Sequence, residues 1–348
     1  MNERTSFINI RIAALLLALT GLIASNACLP KPPSESRGGV NITLYGYSIM
    51  KESLEKDIYP AFIAKWKQEH GQDVRFTSSF AGSETVTNQI LQGVKAQIAI
   101  LSIERDVQRL KQHGDISSDW HALPQKGIVN KTPFVIIVRK GNPKGIHDFT
   151  DLTAPGIKLV HPDPVSSGGG NWSLLALYGS ELVKSEKQFG TPDHARALQT
   201  LQAIWRNVIS TPGSAREART TFELGNGDAL VTYEVDALLM KDAHAPIEII
   251  VPEATILGEH LAVPIDRNIS ASDRPVIDSF LQYLWSDEAQ RAWVKNHFRS
   301  STNEVLDKEN KELATIKYPF TVDYLGGWAR AYPDVVEHIF RDQVLKRK

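Results

Sequence analysis

The chain has 348 residues, of which 42% are hydrophobic and 23% are charged, and its formal net charge is −1. A single hydrophobic core stops growing near roughly 250–300 residues, so this length predicts two lobes. The near-neutral charge and the absence of a long basic run argue against a nucleic-acid partner.

The first residues are typical of an export signal. Arg4 and Arg11 form a positively charged segment before an apolar run at 12–23, and small residues then lead to Cys28, the single cysteine. This pattern predicts a signal peptide over 1–27 and a lipid anchor at Cys28. Ordinary cleavage is the alternative, because Ser25 stands where a lipoprotein signal carries a large apolar residue. Residues 28–39, rich in proline and serine, are predicted to form a tether.

Strands and helices alternate along the rest of the chain. Strands are predicted at 40–45, 74–77, 98–101, 134–138, 157–160, 208–210, 229–233, 248–251 and 262–265, and helices at 49–69, 84–93, 106–113, 148–152, 172–184, 195–205, 215–224, 237–241, 274–296 and 324–341. This alternation predicts an α/β fold with mostly parallel sheets. Ligands of such folds bind beyond the carboxyl ends of the strands.

Two apolar segments are predicted to cross between the lobes, near Phe134 and near Val251. Lobe 1 is then expected to comprise 40–131 plus 252–348, and lobe 2 is expected to comprise 132–251.

One segment, 162–172, has the composition of an anion-binding loop. It reads Pro-Asp-Pro-Val-Ser-Ser-Gly-Gly-Gly-Asn-Trp and lies between a strand-like run and a helix-like run. Glycines leave the backbone open to an approaching group, and the N–H groups at a helix start carry partial positive charge. A merely flexible turn is the alternative interpretation of this segment.

Similar helix starts recur in separate parts of the chain, at Ser48, Ser83 and Ser214. Each alone is typical of an ordinary helix cap. Together, converging with Ser167, they would surround one small oxyanion with N–H and O–H donors.

Motifs for catalysis and metal binding are missing from the sequence. It contains no phosphate-binding Gly-x-x-x-x-Gly-Lys-Ser/Thr loop, no Gly-x-Gly-x-x-Gly after a strand and no Gly-x-Ser-x-Gly elbow, and its ten histidines lack zinc-protease spacing. We therefore expect no catalytic residues, no metal and no cofactor.

Several segments of the mature chain carry a family resemblance. These are Ala64 to Glu69, Val138 to Lys144 with Ile146 to Asp148, Pro162 to Trp172, Ser214 to Arg216 with Thr221 and Phe222, Gly227 and Asp228, and Gly326 to Ala329. In this order they resemble the periplasmic sulfate-binding proteins that serve ABC importers. The resemblance implies the two-lobed periplasmic binding protein fold of type II, with hinge crossings between the lobes.

The resemblance also implies a set of ligand-binding groups, all of them neutral. They are the backbone of Ile49, the hydroxyl of Ser83, the backbone and hydroxyl of Ser167, the backbones of Gly168, Gly169 and Ala215, and the side chain of Tyr233. Ser48, Ser166, Gly170 and Arg216 are expected to support them. For Arg216, salt bridges to Glu217, Glu223 or the other lobe are the alternative interpretation.

Three places depart from the family pattern. In the first loop Ile49-Met50 stands where the family has Asp-Pro, although only a backbone N–H is wanted there. Tyr233 stands where the family has a tryptophan indole, and Glu84 stands where a glycine is usual.

The function implied is capture of sulfate or thiosulfate in an interlobe cleft and delivery to the permease and ATPase of an ABC importer. We expect a monomer in the periplasm or another extracytoplasmic space, either free or lipid-anchored. Binding of another tetrahedral oxyanion, such as phosphate or molybdate, is one alternative, and an exported anion-site hydrolase is another.

Overall fold

The structure, a computed structural model, describes residues 39–347. The predicted signal peptide, Cys28 and the tether up to residue 38 lie outside the described residues. None of the helices in the described part is long and apolar enough to cross a membrane.

The strands form a mixed sheet system. They are β1 (Val40–Tyr47), β2 (Val74–Ala81), β3 (Ile98–Leu101), β4 (Ile128–Arg139), β5 (Leu159–Val160), β6 (Val208–Ser210), β7 (Ala229–Tyr233), β8 (Ile247–Ile250), β9 (Ala254–Pro264), β10 (Arg299–Ser300) and β11 (Tyr318–Phe320). The hydrogen-bonded order is β2-β1-β3-β9-β4-β7-β5-β6, while β8 and β10 pair with β4 and β11 pairs with β9.

Helices cover both halves of this system. They are α1 (Lys51–Ser53), α2 (Tyr59–His70), α3 (Ser83–Leu91), α4 (Glu104–His113), α5 (Gly168–Phe189), α6 (His194–Arg206), α7 (Ala215–Glu223), α8 (Glu234–Asp242), α9 (Arg274–Tyr283), α10 (Asp287–Lys295), α11 (Glu304–Asp307) and α12 (Trp328–Ala331). A π-helical stretch, Leu54–Ile58, joins α1 to α2, and another, Tyr332–Val344, follows α12.

Two long strands connect the halves of the two-lobed α/β architecture. β4 pairs with β9 through residues up to Pro133 and then with β7 from Phe134 onward. β9 in turn pairs with β3, so it continues into the sheet that contains β1 and β2. The partner change at Phe134 agrees with a crossing there, while the lobe boundaries at residues 131 and 252 stay predictions.

Within each half, the strands that lead to the predicted binding loops are parallel. β1 pairs in parallel with β2 and β3, and β5 pairs in parallel with β6 and β7. The pairs made by β4 with β7, β8 and β9 are antiparallel. Parallel strands bring the loops at their carboxyl ends to a common edge.

The start of α5 differs from the sequence prediction. The glycines were expected in a loop before a helix that begins at Trp172, but the helix begins at Gly168. A Cβ atom on Gly170 would lie 2.4 Å from the carbonyl oxygen of Asp163, so only glycine fits this packed helical turn. Here tertiary packing overrides the low helix propensity of glycine.

Candidate functional site

The candidate site lies where strands of both lobes reach their carboxyl ends. β1 ends beside the 3₁₀ turn Ser48–Met50, β2 ends just before α3, and β5 and β6 end before the loops that enter α5 and α7. Open α/β sheets bind ligands at this edge.

Close backbone approaches show that the helix starts meet there. A Cβ atom on Gly82 would lie 2.6 Å from the carbonyl oxygen of Ser166 and 2.8 Å from that of Gly213. On Gly168 it would lie 2.7 Å from Oγ of Ser102. The entries to α3, α5 and α7 are therefore in direct contact.

The other predicted site residues surround the same point. A Cβ atom on Gly169 would lie 2.9 Å from Cε2 of Tyr233 and 3.2 Å from Cβ of Ala215. The guanidinium of Arg216 donates to the carbonyl oxygen of Ser48, at 2.9 Å from Nη2, which places the turn containing Ile49 beside α7. The structure thus brings the sequence-predicted residues together.

Free backbone donors point out of the helix starts. Among residues 39–347, the N–H groups of Gly168, Gly169 and Ala215 have no hydrogen-bond acceptor. The first N–H groups of a helix lack partners within the helix and carry the positive end of its dipole. This arrangement can bind an anion without a cationic side chain.

Ser167 caps α5. Its Oγ accepts from the N–H of Gly170 at 3.2 Å, and its own N–H donates to the carbonyl oxygen of Asp163 at 3.0 Å. The Ser167 hydroxyl proton is not used in these two bonds and is available to a ligand. Its backbone N–H, also predicted as a ligand donor, is occupied by Asp163 in this structure.

Ser83 is held by a carboxylate that the sequence analysis did not single out. Its hydroxyl donates to Oδ2 of Asp106 at 2.6 Å and accepts from the N–H of Ser102 at 3.0 Å. Complete burial of Asp106 raises the pKa of that carboxyl to about 7, although the Ser83 hydrogen bond opposes the rise. The N–H of Ser83, at the first position of α3, has no acceptor in the described part of the chain.

Tyr233 makes a hydroxyl pair with Ser102. The two oxygens are 2.8 Å apart and both residues are completely buried. Burial raises the pKa of Tyr233 well above its ordinary value, so the phenol stays neutral near neutral pH. The ring packs on Phe134, with 4.4 Å between the ring centroids.

Arg216, which was expected to support the site, is paired with a carboxylate. Arg216, besides its bonds to Ser48, forms an ion pair with Glu52. Burial alone would raise the pKa of the Glu52 carboxyl. The hydrogen bond and the charge of Arg216 outweigh burial, so the pKa lies below its ordinary value. The arginine therefore braces the Ser48 turn with its charge neutralised by Glu52.

Glu84 is held by two arginines of α4. Its carboxylate pairs with Arg109 and, at 3.4 Å, with Arg105. Its side chain is 22% exposed, in contrast to the buried Ser83 that precedes it.

Sequence reasoning missed Ser102 and Asp106. The available signal was that Ser102 directly follows the buried strand β3, at the carboxyl end where the other site loops lie. Asp106 was placed on a predicted helix, but nothing in the sequence indicated its contact with Ser83, 23 residues earlier.

The site is sealed from solvent. Ile49, Ser83, Ser167, Ala215 and Tyr233 are each at most 3% exposed. Groups of three or more potential metal ligands are absent from residues 39–347. The arrangement is a buried cluster of neutral donors, suited to holding a small desolvated anion.

Comparison with known proteins gives the family. The family described as bacterial extracellular solute-binding protein matches residues 47–299. The sulfate-binding protein of Synechococcus elongatus is 32% identical over 324 residues, which cover 91% of each chain. The thiosulfate-binding protein of Escherichia coli is 30% identical over 305 residues, covering 84% of this chain and 86% of the relative.

A solved structure shows the same architecture. The sulfate-binding protein SubI from Mycobacterium tuberculosis H37Rv superposes with a TM-score of 0.76 and 28% sequence identity, covering 84% of this chain and 98% of that one. The chain belongs to the bacterial extracellular solute-binding proteins, in the group of the sulfate- and thiosulfate-binding proteins.

Proposed function

We propose that this protein captures sulfate or thiosulfate between its lobes and delivers it to an ABC importer. The observation that carries the proposal is the convergence of the starts of α3, α5 and α7. Their first N–H groups, at Ser83, Gly168, Gly169 and Ala215, have no acceptor within residues 39–347. The names of the relatives support the same ligand class.

The chemistry of the donors favours a fully ionised anion. Sulfate and thiosulfate near neutral pH offer only acceptors, which match N–H and O–H donors. Phosphate keeps a proton that needs an acceptor, and a donor-only site leaves that proton facing another donor, at a cost of about 1–3 kcal/mol. Glu84, the acceptor considered from sequence, is engaged by Arg105 and Arg109.

Isothermal titration calorimetry with sulfate, thiosulfate, phosphate and molybdate tests the proposal. We expect saturable binding of sulfate or thiosulfate and much weaker binding of phosphate. Tighter phosphate binding would overturn the ligand assignment, and no binding of any of the four anions would overturn the function.

We propose further that binding occurs without turnover. Oγ of Ser167 accepts a hydrogen bond from a backbone N–H, and the buried His161, which directly precedes this segment, is bonded to Ser173 instead, at 2.8 Å. Burial lowers the pKa of His161 to about 4, which makes it a poor base near neutral pH. Release of sulfate or phosphate from aryl esters by the purified protein would favour the hydrolase alternative.

The remaining proposals concern location and partners. We propose that the protein works as a monomer with a permease and an ATPase, and that Cys28 is acylated after signal cleavage. Cys28→Ala is then expected to move the protein from the membrane fraction to the soluble fraction or to block its maturation. A soluble, unmodified mature protein in the native cell would instead indicate ordinary cleavage.

A further inference from the structure

Ser102 is bonded through all three of its polar groups. Its N–H donates to Oγ of Ser83 at 3.0 Å, its carbonyl oxygen accepts from the indole of Trp172 at 2.7 Å, and its hydroxyl contacts that of Tyr233 at 2.8 Å. All four residues are at most 1% exposed. Ser102 follows β3, whereas Trp172 and Tyr233 lie in the other half of the fold, so these bonds join the two lobes.

The hydroxyl pair contains one proton more than its own bond uses. Ser102 and Tyr233 each carry one hydroxyl proton, and a single hydrogen bond between their oxygens takes one of the two. Either oxygen can be the donor at this distance. Whichever proton lies between the oxygens, the other remains to be donated elsewhere, and burial favours a further acceptor for it.

The pair lies against the start of α5. Oγ of Ser102 is 2.7 Å from the Cβ position of Gly168, and the hydroxyl oxygen of Tyr233 is 3.2 Å from the Cβ position of Gly169. The N–H groups of these two glycines are among the free donors of the site. An anion bound by the glycines would therefore lie beside the hydroxyl pair.

We propose that Ser102 is a further anion-binding residue, and that Ser102 and Tyr233 together supply one hydrogen-bond donor to the oxyanion. This inference rests on the proposed function. The pair takes the place of the indole N–H that the family resemblance places at position 233, and the proton comes from either hydroxyl. The two residues are thus interchangeable as donors, and neither is required alone.

A double-mutant cycle tests the pair. Ser102→Ala removes one hydroxyl and keeps the backbone bonds to Ser83 and Trp172, and Tyr233→Phe removes the other. With either hydroxyl gone, the remaining one still has a proton for the anion, so we expect each single variant to weaken sulfate binding by about threefold or less. The double variant has no donor left and should weaken binding by about thirtyfold, well beyond the product of the single effects.

The chain offers a matched control pair. Tyr59 and Ser78 are also a tyrosine and a serine with their hydroxyl oxygens 2.8 Å apart. They lie at the first position of α2 and within β2, not at the starts of α3, α5 and α7. Tyr59→Phe with Ser78→Ala should leave sulfate affinity within about twofold. Thermal unfolding of each protein without sulfate reports whether the fold is intact.

The outcomes separate the inference from the proposed function. The inference would be overturned if the fold losses of sulfate affinity in the two single variants multiply to the loss in the double variant. It would also be overturned if Tyr233→Phe alone loses as much affinity as the double variant. In both cases the proposed binding of sulfate would stand. A wild-type protein that binds neither sulfate nor thiosulfate would overturn both.

Discussion

At the scale of single residues, the site combines neutral donors with paired charges. Burying an ionised group is costly unless donors meet its lone pairs, and the dipoles of backbone N–H groups can do this without a salt bridge. Arg216, the charged side chain predicted to support the loop, is paired with Glu52 and bonded to Ser48. The predicted anion would therefore be stabilised mainly by local dipoles.

Gly168→Ala is expected to weaken sulfate binding about tenfold or more, since overpacking costs about 1–3 kcal/mol. The added methyl group would lie 2.6 Å from Cβ of Ser102 and 3.1 Å from Cβ of Ser83, both across the interlobe contact. When the lobes part, the clash disappears. The substitution should therefore have a small effect on the melting temperature of the ligand-free protein and a large effect on sulfate affinity. Calorimetry and thermal unfolding measure the two effects.

The control for this substitution is Gly39→Ala, where the nearest atoms lie at 3.5 Å in ordinary contact. Unchanged sulfate affinity in Gly168→Ala would mean that the ligand-bound lobes do not meet as they do here.

Glu84→Gln is expected to leave sulfate affinity within about twofold, because the Glu84 carboxylate is bonded to Arg105 and Arg109 of α4 and not to a donor of the site. Calorimetric titration of the variant with sulfate and with phosphate measures its affinity for each anion. A large gain in sulfate affinity, or a loss of phosphate binding, would indicate that the carboxylate faces the ligand.

At the residue level, the sequence singled out the segments whose loop signature is local. The glycines and serines at 166–170, 82–83 and 213–215 were recognised individually, and the structure brings them together. The pairing of Ser102 with Tyr233 spans 131 positions, and no local pattern encodes a contact of that range. The Ser83 to Asp106 bond was unpredictable for the same reason.

At the scale of elements, capping and packing decide where helices begin. Ser167 caps α5 as an N-cap serine commonly does, yet the position of that cap was not evident, since three consecutive glycines argue against a helix. These three positions must lack side chains, because atoms of Asp163, Ser102 and Tyr233 lie within 3 Å of where their Cβ atoms would be.

Strands such as Ile98–Leu101 and Ala229–Tyr233 were predicted with correct bounds because buried β-branched and apolar runs are strong signals.

Asp266 joins two surface segments and gives a prediction for acid stability. Partial burial raises the pKa of Asp266, but hydrogen bonds from Ser117, Ser118 and Arg274 outweigh burial and lower it to about 2. Because the folded-state pKa lies below the unfolded value of about 3.9, the stabilisation is present above pH 4 and is lost as pH falls toward 2.

Asp266→Asn should therefore lower the free energy of unfolding by about 1–2 kcal/mol at pH 7, allowing for solvent screening, and by much less near pH 2. Chemical denaturation across this pH range measures the difference. Asp278→Asn is the control, because Asp278 is 50% exposed and pairs with the same Arg274. If Asp266→Asn lowers the free energy of unfolding by the same amount at every pH, the lowered pKa of Asp266 would be contradicted.

At the scale of the whole molecule, β4 and β9 are the segments about which the lobes would turn, because both strands change partners between the two halves. We expect saturating sulfate to lower the radius of gyration relative to the sulfate-free protein, as hinge closure around a ligand does. Small-angle scattering of both samples measures this change. Identical scattering curves, with binding confirmed by calorimetry, would exclude closure on binding.

The sealed position of the site has a kinetic consequence. Since Ile49, Ser167 and Tyr233 are at most 2% exposed, an anion held between them has no path to bulk water while the lobes touch. Its residence time then cannot be shorter than the waiting time for the lobes to separate. An anion that binds more strongly to the closed form stabilises that form, so it should dissociate more slowly through a lower rate of lobe opening.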